Sequence, residues 1–354
     1  MSLTSELKDP RSRVSAFMRE RLPNTRRVMA LSRGRMGERA TRRPAGPVPW
    51  SLIGTSLDYR LRFYFPQAGR KGRLENLVCY AGAALACGGK LCYGEDDEAR
   101  EILPPDVTLP GRLDHALMLS FFASLAGCLR LNPPQRRLDA GDEDLLLRHC
   151  VVMAALDVFV RAGFDPRSVL LNPESRRTVG ELLAVAEQVW LDDLRGLSWD
   201  FEQGLPDLWG RPAILNPTFD GSGFVGGADA DLISDGCLID VKTTINPLKD
   251  ADWIYQLIGY ALLDWHDEHR IERVAVYFSR QVYILEWEVG ELLAELAGNA
   301  GMTLGDLRGE WHGLLARRAF GDGEPDRGFA ADMGYVMDAG RWRRRREGDN
   351  PVPE

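Results

Sequence analysis

The stretch of residues 226–265, GGADADLISDGCLIDVKTTINPLKDADWIYQLIGYALLDW, decides the fold class of this chain. Its first half alternates apolar and polar residues at the period of a β-strand, whereas its second half repeats apolar residues at the period of an α-helix. Asp235-Gly236 separates two strand patterns, and this pair favours a tight hairpin because the turn needs positive φ. The stretch therefore predicts strands over 223–233 and 237–244 and an amphipathic helix over 251–266.

Further strands and helices are predicted on both sides of this stretch. The strand patterns cover 212–219, 273–278 and 282–287, and the helical patterns cover 11–21, 113–131, 143–162, 179–197, 290–296 and 304–320. Residues 57–65 alternate only in part, and their period fits a strand or the start of a helix equally well. The order of these elements predicts an α/β protein whose N-terminal region is helical.

The composition of the 354-residue chain excludes several classes of protein. Hydrophobic residues make up 45% and charged residues 27%, which excludes a mainly disordered or collagen-like chain. No apolar run reaches the ~18 residues of a membrane-spanning helix, and the polar N-terminus does not resemble a signal peptide. The six cysteines form neither a CxxC pair nor a zinc-spaced cluster. We therefore expect reduced thiols, a cytoplasmic location and no membrane partner.

Basic residues are concentrated at the two ends of the chain. The formal net charge is −8, but the first 74 residues contain 17 Lys and Arg against 5 Asp and Glu. A second basic run, RWRRRR, occupies residues 341–346. Such segments favour contact with nucleic acid, although a solvated and partly disordered arm explains the first of them equally well.

Three charged residues in the hairpin region form a candidate catalytic cluster. Asp240 and Lys242 are two apart on a predicted strand and share one face of it, and Asp231 lies on the partner strand. Two carboxylates and a lysine are costly to bury unless a divalent cation sits between the carboxylates. Such a cation activates a water molecule, and a compact lysine charge orients that water or stabilises the transition state. Asp229 shares the strand face of Asp231 and stays open as a second ligand.

The cluster and the helix after it contain three motifs in a fixed order. They are GADADLI at 227–233, the D-x-K triplet Asp240-Val241-Lys242, and a Q-x-x-x-Y pattern formed by Gln256 and Tyr260. In this order and spacing, the motifs resemble the PD-(D/E)xK nuclease superfamily, and in particular its RecB-like branch. The resemblance covers roughly residues 180–290, which is less than a third of the chain.

The resemblance implies a restriction-endonuclease-like fold, in which helices flank a mixed central sheet. It also implies a Mg²⁺ or Mn²⁺ ion held by Asp231, Asp240 and the backbone carbonyl of Val241, with Lys242 assisting the attacking water. Gln256 and Tyr260, four residues apart, share a helix face and are expected to face the site or the substrate backbone. Helix packing with one hydrogen bond is the alternative explanation of this pair.

The family also commonly uses a Glu or His that a helix upstream of the sheet contributes. Candidates on the predicted 179–197 helix are Glu181, Glu187 and Asp192. We favour Glu187, because it is predicted to lie in the middle of the helix among apolar neighbours. A solvated helix face is the alternative for each of the three.

These observations predict four segments in the chain. A basic, partly flexible arm is expected over 1–50, and a mainly helical region of unknown role over 51–175. The PD-(D/E)xK nuclease core is expected over 176–325, and a flexible tail with the Arg-rich segment over 326–354.

The predicted activity is metal-dependent hydrolysis of DNA phosphodiester bonds. Contact with DNA is expected through the phosphate backbone, and binding is therefore salt-dependent and weakly specific for sequence. Work within a prokaryotic defence or DNA-repair assembly, with protein partners, is a further expectation. Two alternatives stay open: a nuclease-fold subunit that binds DNA or partners and is silent until activated, and an RNA substrate.

Overall fold

A computed structural model describes most of the chain. It covers residues 2–65, 77–87, 90–92, 99–101, 113–131, 138–161, 163, 168–171, 178–205, 211–320, 335–338 and 341–344. Much of the tail predicted over 326–354, including Arg345 and Arg346, lies outside these residues. Among the described helices, none has both the length and the apolar character needed to cross a bilayer.

A five-stranded mixed sheet forms the centre of the C-terminal half. Its strands are β3 (Ile214–Leu215), β4 (Leu232–Ser234), β5 (Cys237–Lys242), β6 (Arg273–Phe278) and β7 (Tyr283–Glu288), and they lie in this order across the sheet. Only β5 and β6 pair in parallel, and the other neighbours are antiparallel. Two separate antiparallel pairs join β1 (Lys90–Cys92) to β2 (Ala99–Glu101) and β8 (Tyr335–Asp338) to β9 (Arg341–Arg344).

Twelve α-helices surround the strands in the part of the chain that the structure describes. In the N-terminal region they are α1 (Leu3–Lys8), α2 (Arg13–Arg21), α3 (Thr25–Met36), α4 (Trp50–Arg62), α5 (Val78–Ala86), α6 (His115–Leu131) and α7 (Ala140–Arg161). The remaining ones are α8 (Val179–Leu183), α9 (Gln188–Gly204), α10 (Asp252–Leu263), α11 (Val289–Ala297) and α12 (Leu304–Phe320). The predicted α/β class, with a mixed central sheet and a helical N-terminal region, is confirmed.

Helices cover both faces of the central sheet. Along β5, Leu238 joins the core that contains residues of α10, α11 and α12, whereas Ile239 joins the core that contains residues of α4 and α9. Successive side chains of a strand point to opposite faces, so Asp240 and Lys242 share the face of Leu238. Parallel strands need a crossover connection, and α10 provides it between β5 and β6. The candidate site therefore lies on the sheet face that α10 covers.

The hairpin between β4 and β5 has the predicted turn. Asp235 and Gly236 have φ values of 49° and 68°, the left-handed geometry that the Asp-Gly pair tolerates. The register pairs Leu232 with Ile239 and Ser234 with Cys237. This register fixes which residues of the two strands face each other.

Several predicted elements are confirmed close to their predicted ends. The helix predicted over 304–320 is α12, the strand predicted over 273–278 is β6, and the helix predicted over 251–266 is α10. Residues 57–65, whose period was ambiguous, belong largely to α4.

Three predicted elements are wrong in part. The strand predicted over 212–219 contains only the two-residue β3, Ile214–Leu215. The strand predicted over 223–233 begins instead with a short 3-10 helix, Ser222–Val225, and β4 starts only at Leu232. Gly226 and Gly227 follow that helix with φ values of 74° and 112°, which few residues other than glycine adopt, so the backbone turns before the strand begins. The single helix predicted over 179–197 is divided into α8 and α9, with residues 184–187 between them.

The N-terminal arm was expected to be partly flexible, but residues 3–36 fold into α1, α2 and α3. Leu3, Met18 and Val28 are buried in the same hydrophobic core as α10. A Cβ atom at Gly259 of α10 would lie only 3.0 Å from Leu3 Cδ2, so the glycine permits the close approach of α1. The first three helices are therefore part of the layer that covers the candidate site.

Candidate functional site

Asp231 and Asp240 face each other across the β4–β5 hairpin. Leu232 pairs with Ile239 in the antiparallel register, so Asp231, immediately before β4, lies across from Asp240. Asp231 Oδ2 accepts a hydrogen bond from the Val241 backbone N–H at 2.6 Å. The predicted pair of carboxylates is thus brought together by the hairpin. The Val241 carbonyl as a metal ligand stays a prediction.

Lys242 connects this pair to α10. Its Nζ lies 2.7 Å from Asp240 Oδ2 and donates a hydrogen bond to Gln256 Oε1 at 2.8 Å. Gln256 Nε2 in turn donates to Tyr260 Oη at 2.8 Å and to Thr4 Oγ1 at 3.2 Å. The D-x-K and Q-x-x-x-Y motifs therefore form one continuous chain of polar contacts, and α1 contacts it through Thr4.

The two carboxylates resist being charged at the same time. Burial raises the pKa of Asp231 well above its ordinary range, and the negative charges of Asp58 and Asp240 raise it further. Burial also raises the pKa of Asp240, although the neighbouring Lys242 ammonium opposes this rise. Burial disfavours the charged form of Lys242, but the two aspartates outweigh it and raise the pKa of the lysine. A further positive charge, or a proton, would relieve the repulsion between the carboxylates.

Asp240 has an incompletely satisfied carboxylate. The residue is only 3% exposed, and its Oδ2 lacks a well-aligned hydrogen-bond donor among the described atoms, although Lys242 Nζ is 2.7 Å away. We regard this contact as an ion pair, since its distance is short and its angle is poor. A buried carboxylate oxygen with spare acceptor capacity suits a cation.

Asp58 is a charged residue near the site that sequence reasoning missed. It lies on α4, and its carboxylate accepts a hydrogen bond from Arg62 Nη2 at 2.6 Å. Its charge raises the pKa of both Asp231 and Asp240. The ambiguous period of residues 57–65 gave no reason to single it out, and no local motif joins it to the hairpin.

Asp229 has a partner of its own. It forms an ion pair with Arg161 Nη2 of α7 at 3.0 Å, and Arg161 Nε also lies 3.2 Å from Asp157. The backbone of Asp229 forms an isolated antiparallel β-bridge with that of Thr218, outside the named strands. The arginine neutralises the carboxylate that the sequence left open as a second ligand.

The three acidic candidates upstream of the sheet lie at the start of a helix or in a local ion pair. Glu187 is the exposed N-cap residue of α9, so its predicted place in the middle of a helix is wrong. Glu181 forms a capping box with Thr178 at the start of α8, and Asp192 pairs with Arg195 at 2.9 Å. Asp58, rather than Glu187, is the upstream carboxylate whose charge acts on Asp231 and Asp240.

The residues present fit a magnesium-like ion with few protein ligands. Within the described ranges, no group of three or more His, Cys, Asp and Glu side chains is arranged to hold a metal ion. Mg²⁺ usually keeps several waters and uses only one or two carboxylates. The carboxylates of Asp240 and of the facing Asp231 supply that number.

Comparison with protein-family models, with curated proteins and with solved structures finds no match to this chain. The resemblance to PD-(D/E)xK nucleases therefore rests on the sequence motifs and stays a prediction.

Proposed function

We propose that this protein is a metal-dependent nuclease that hydrolyses DNA phosphodiester bonds, with a restriction-endonuclease-like core. The observation that carries the proposal is the pair of facing carboxylates, the buried Asp240 and the partly buried Asp231, with Lys242 Nζ 2.7 Å from Asp240. A structural ion pair needs one carboxylate for one lysine. The second carboxylate is costly to hold in this partly buried position without a function.

The site residues have distinct roles in this proposal. Asp231, Asp240 and the Val241 carbonyl would hold Mg²⁺ or Mn²⁺, which when bound activates a water molecule and neutralises phosphate charge. Lys242 holds its ammonium beside Asp240 and stabilises the negative charge that develops on the phosphate. Gln256 accepts a hydrogen bond from Lys242 and is itself bonded to Tyr260, so both act as positioning residues for the lysine.

DNA is the proposed substrate, and contact is through phosphates. Exposed arginines such as Arg13 and Arg33 lie on the N-terminal helices that belong to the layer over the site, and they give this layer positive charge. Binding of this kind weakens as salt rises, because each phosphate contact releases a counterion. Work within a prokaryotic defence or repair assembly stays a prediction from the sequence.

A cleavage assay on three substrates tests the proposal. Single-stranded DNA, duplex DNA and RNA of one sequence are incubated with Mg²⁺, Mn²⁺ or EDTA and with wild type, Asp240→Asn or Asp235→Asn. Asp235 is the matched control, because its side chain is 78% exposed in the hairpin turn and asparagine tolerates its positive φ. We expect metal-dependent cleavage of DNA by wild type and by the Asp235 variant only. Equal cleavage by all three proteins, or cleavage in EDTA, contradicts the proposal, and preferential cleavage of RNA corrects its substrate.

A second candidate function is a subunit whose nuclease is silent until a partner activates it. It is supported by the contact of α1 with the site, since Thr4 Oγ1 accepts from Gln256 and the Leu3 N–H donates to the Gly227 carbonyl at 3.1 Å. The isolated protein would then bind Mn²⁺ in an Asp240-dependent manner and yet cut none of the three substrates. Cleavage by the isolated wild-type protein excludes this candidate.

A further inference from the structure

A cavity of about 420 Å³ opens beside Lys242, between α1 and the segment that joins β5 to α10. Its size lies within the range of small-molecule sites, roughly 300–1,000 Å³. Lys242 and Gln256 form part of its wall, so the cavity adjoins the candidate catalytic centre. Thr4 and Lys8 of α1 also line it.

The basic residues of this cavity are all lysines. The chain contains only five lysines beside 39 arginines, yet Lys8, Lys242 and Lys249 all line the cavity. None of the described residues that line it is an arginine. Lysine carries a compact point charge on a flexible stem and binds phosphate without the fixed fork of arginine. This concentration of lysine indicates a site for an anion.

Two of these lysines are available to a ligand. Lys8 and Lys249 are exposed, and within the described ranges no carboxylate lies within 4.0 Å of either ammonium. Asp250 and Asp252 also line the cavity and reduce its positive charge. Asp250 Oδ1, however, already accepts a hydrogen bond from the Asp252 backbone N–H at 3.3 Å.

The inner wall of the cavity is apolar. Leu248, Trp253 and Phe278 line it and are 6%, 5% and 1% exposed. An inorganic anion would make no favourable contact with this apolar wall. A nucleotide has both an anionic phosphate for the lysines and an aromatic base for the apolar wall, and bases stack on aromatic side chains in many proteins.

We propose that this cavity binds one nucleotide unit of the substrate strand, with its phosphate at Lys8 and Lys249 and its base against Trp253 and Phe278. The inference rests on the proposed nuclease function and deepens it. Because Lys242 belongs both to the cavity and to the catalytic cluster, the bound nucleotide adjoins the phosphodiester bond that is cut. The α1 helix thus contacts the substrate in addition to covering the site.

Binding without cleavage tests this inference separately from the nuclease proposal. Fluorescence anisotropy of a labelled ten-nucleotide single strand is measured in EDTA over a series of salt concentrations. Wild type is compared with Lys8→Gln and Lys249→Gln, and with Arg211→Gln as the control, because Arg211 is exposed and does not line the cavity. Competition with thymidine 5′-monophosphate and with thymidine then distinguishes a phosphate-bearing nucleotide from a nucleoside.

Each lysine variant should weaken binding and should lower the slope of log Kd against log salt. Because both lysines contact the same phosphate, the two decreases together should not exceed about 0.7, the value for one phosphate of a single strand. The Arg211 variant should keep both values, and the monophosphate should compete whereas thymidine should not. Unchanged binding in both lysine variants, or equal competition by thymidine, overturns the inference. Retained metal-dependent cleavage by those variants with unchanged binding would leave the nuclease proposal standing while this one falls.

Discussion

Lys242 Nζ lies 2.7 Å from Asp240 Oδ2, and the two side chains come from alternate residues of one strand. Because side chains two apart share a strand face, the D-x-K triplet itself places this ion pair. With the facing Asp231, the cluster contains two carboxylates beside one lysine ammonium, so the lysine cannot neutralise both. This excess of negative charge leads to the predictions that follow.

Asp231→Asn should stabilise the metal-free protein. Burial, Asp58 and Asp240 all raise the pKa of Asp231, so the fold favours its neutral form. A raised carboxyl pKa gives stability that is present at acid pH and is lost as the pH rises from the unfolded value of about 3.9 through the folded one. Asparagine keeps an acceptor for the Val241 N–H and carries no charge. In EDTA at pH 7–8 we expect a Tm higher by about 1–2 °C, the shift that roughly 1 kcal/mol produces in a chain of this length.

The pH dependence of this difference provides the control. The gap in Tm between variant and wild type should shrink as the pH approaches 4. Addition of Mg²⁺ should raise the Tm of wild type and leave the variant unchanged, since only wild type would bind the ion tightly. A lower Tm for the variant at every pH contradicts the claim that the fold favours the neutral form of Asp231.

Lys242→Arg should lose activity while it keeps the fold. The guanidinium retains the positive charge but replaces a compact ammonium with a wide planar fork, so we expect it to lose the paired contacts of 2.7 Å with Asp240 and 2.8 Å with Gln256. We expect a rate lower by roughly 10²–10³-fold, as when a donor that stabilises a transition state is removed. Single-turnover cleavage and circular dichroism together check this prediction, and a variant that cuts at the wild-type rate contradicts the role given to Lys242.

Gln256→Leu should slow cleavage without a loss of metal binding. The variant leaves the Lys242 ammonium without its acceptor on α10, so the lysine is less well positioned. Loss of a supporting partner typically lowers activity by about 10–100-fold. Tyr255→Phe is the matched control on the same helix, because Tyr255 donates to the Leu22 carbonyl and not to the site. A weaker Mn²⁺ affinity in the Gln256 variant would argue against a purely positioning role.

Asp58→Asn should destabilise the protein. Two effects compete, since the variant removes a negative charge near Asp231 but also removes the ion-pair partner of Arg62, whose side chain is only 4% exposed. Breaking a buried ion pair typically costs about 3–5 kcal/mol, so we expect the loss of the pair to dominate. Urea unfolding measures the change, and an unchanged or higher unfolding free energy would show that Asp58 acts mainly through repulsion.

The central part of the site was predictable from the sequence because it is local. Asp231, Asp240 and Lys242 lie within one hairpin whose turn is set by Asp235-Gly236, and Gln256 and Tyr260 follow on the next helix. Strand and helix periods alone therefore place these side chains on the same side of the sheet.

The remaining parts of the site depend on long-range packing, which the periods do not encode. Asp58 reaches the hairpin from a helix more than 170 residues upstream in the printed sequence. The break before α9, which moves Glu187 to an exposed cap, falls in a segment without glycine or proline. The lysine-lined cavity joins residues of α1 to residues 242–256, which lie more than 230 positions further along the chain.

The rate of DNA cleavage by Asp240→Asn under single-turnover conditions tests the central claim most directly. Wild type, Asp240→Asn and the Asp235→Asn control are compared at saturating Mn²⁺, with matched circular dichroism spectra. A lost metal ligand removes several kcal/mol of transition-state stabilisation, so the Asp240 variant should be slower by about 10²-fold or more, and the control unchanged. A folded Asp240 variant that cuts DNA as fast as wild type would contradict the assignment of this cluster as a nuclease centre.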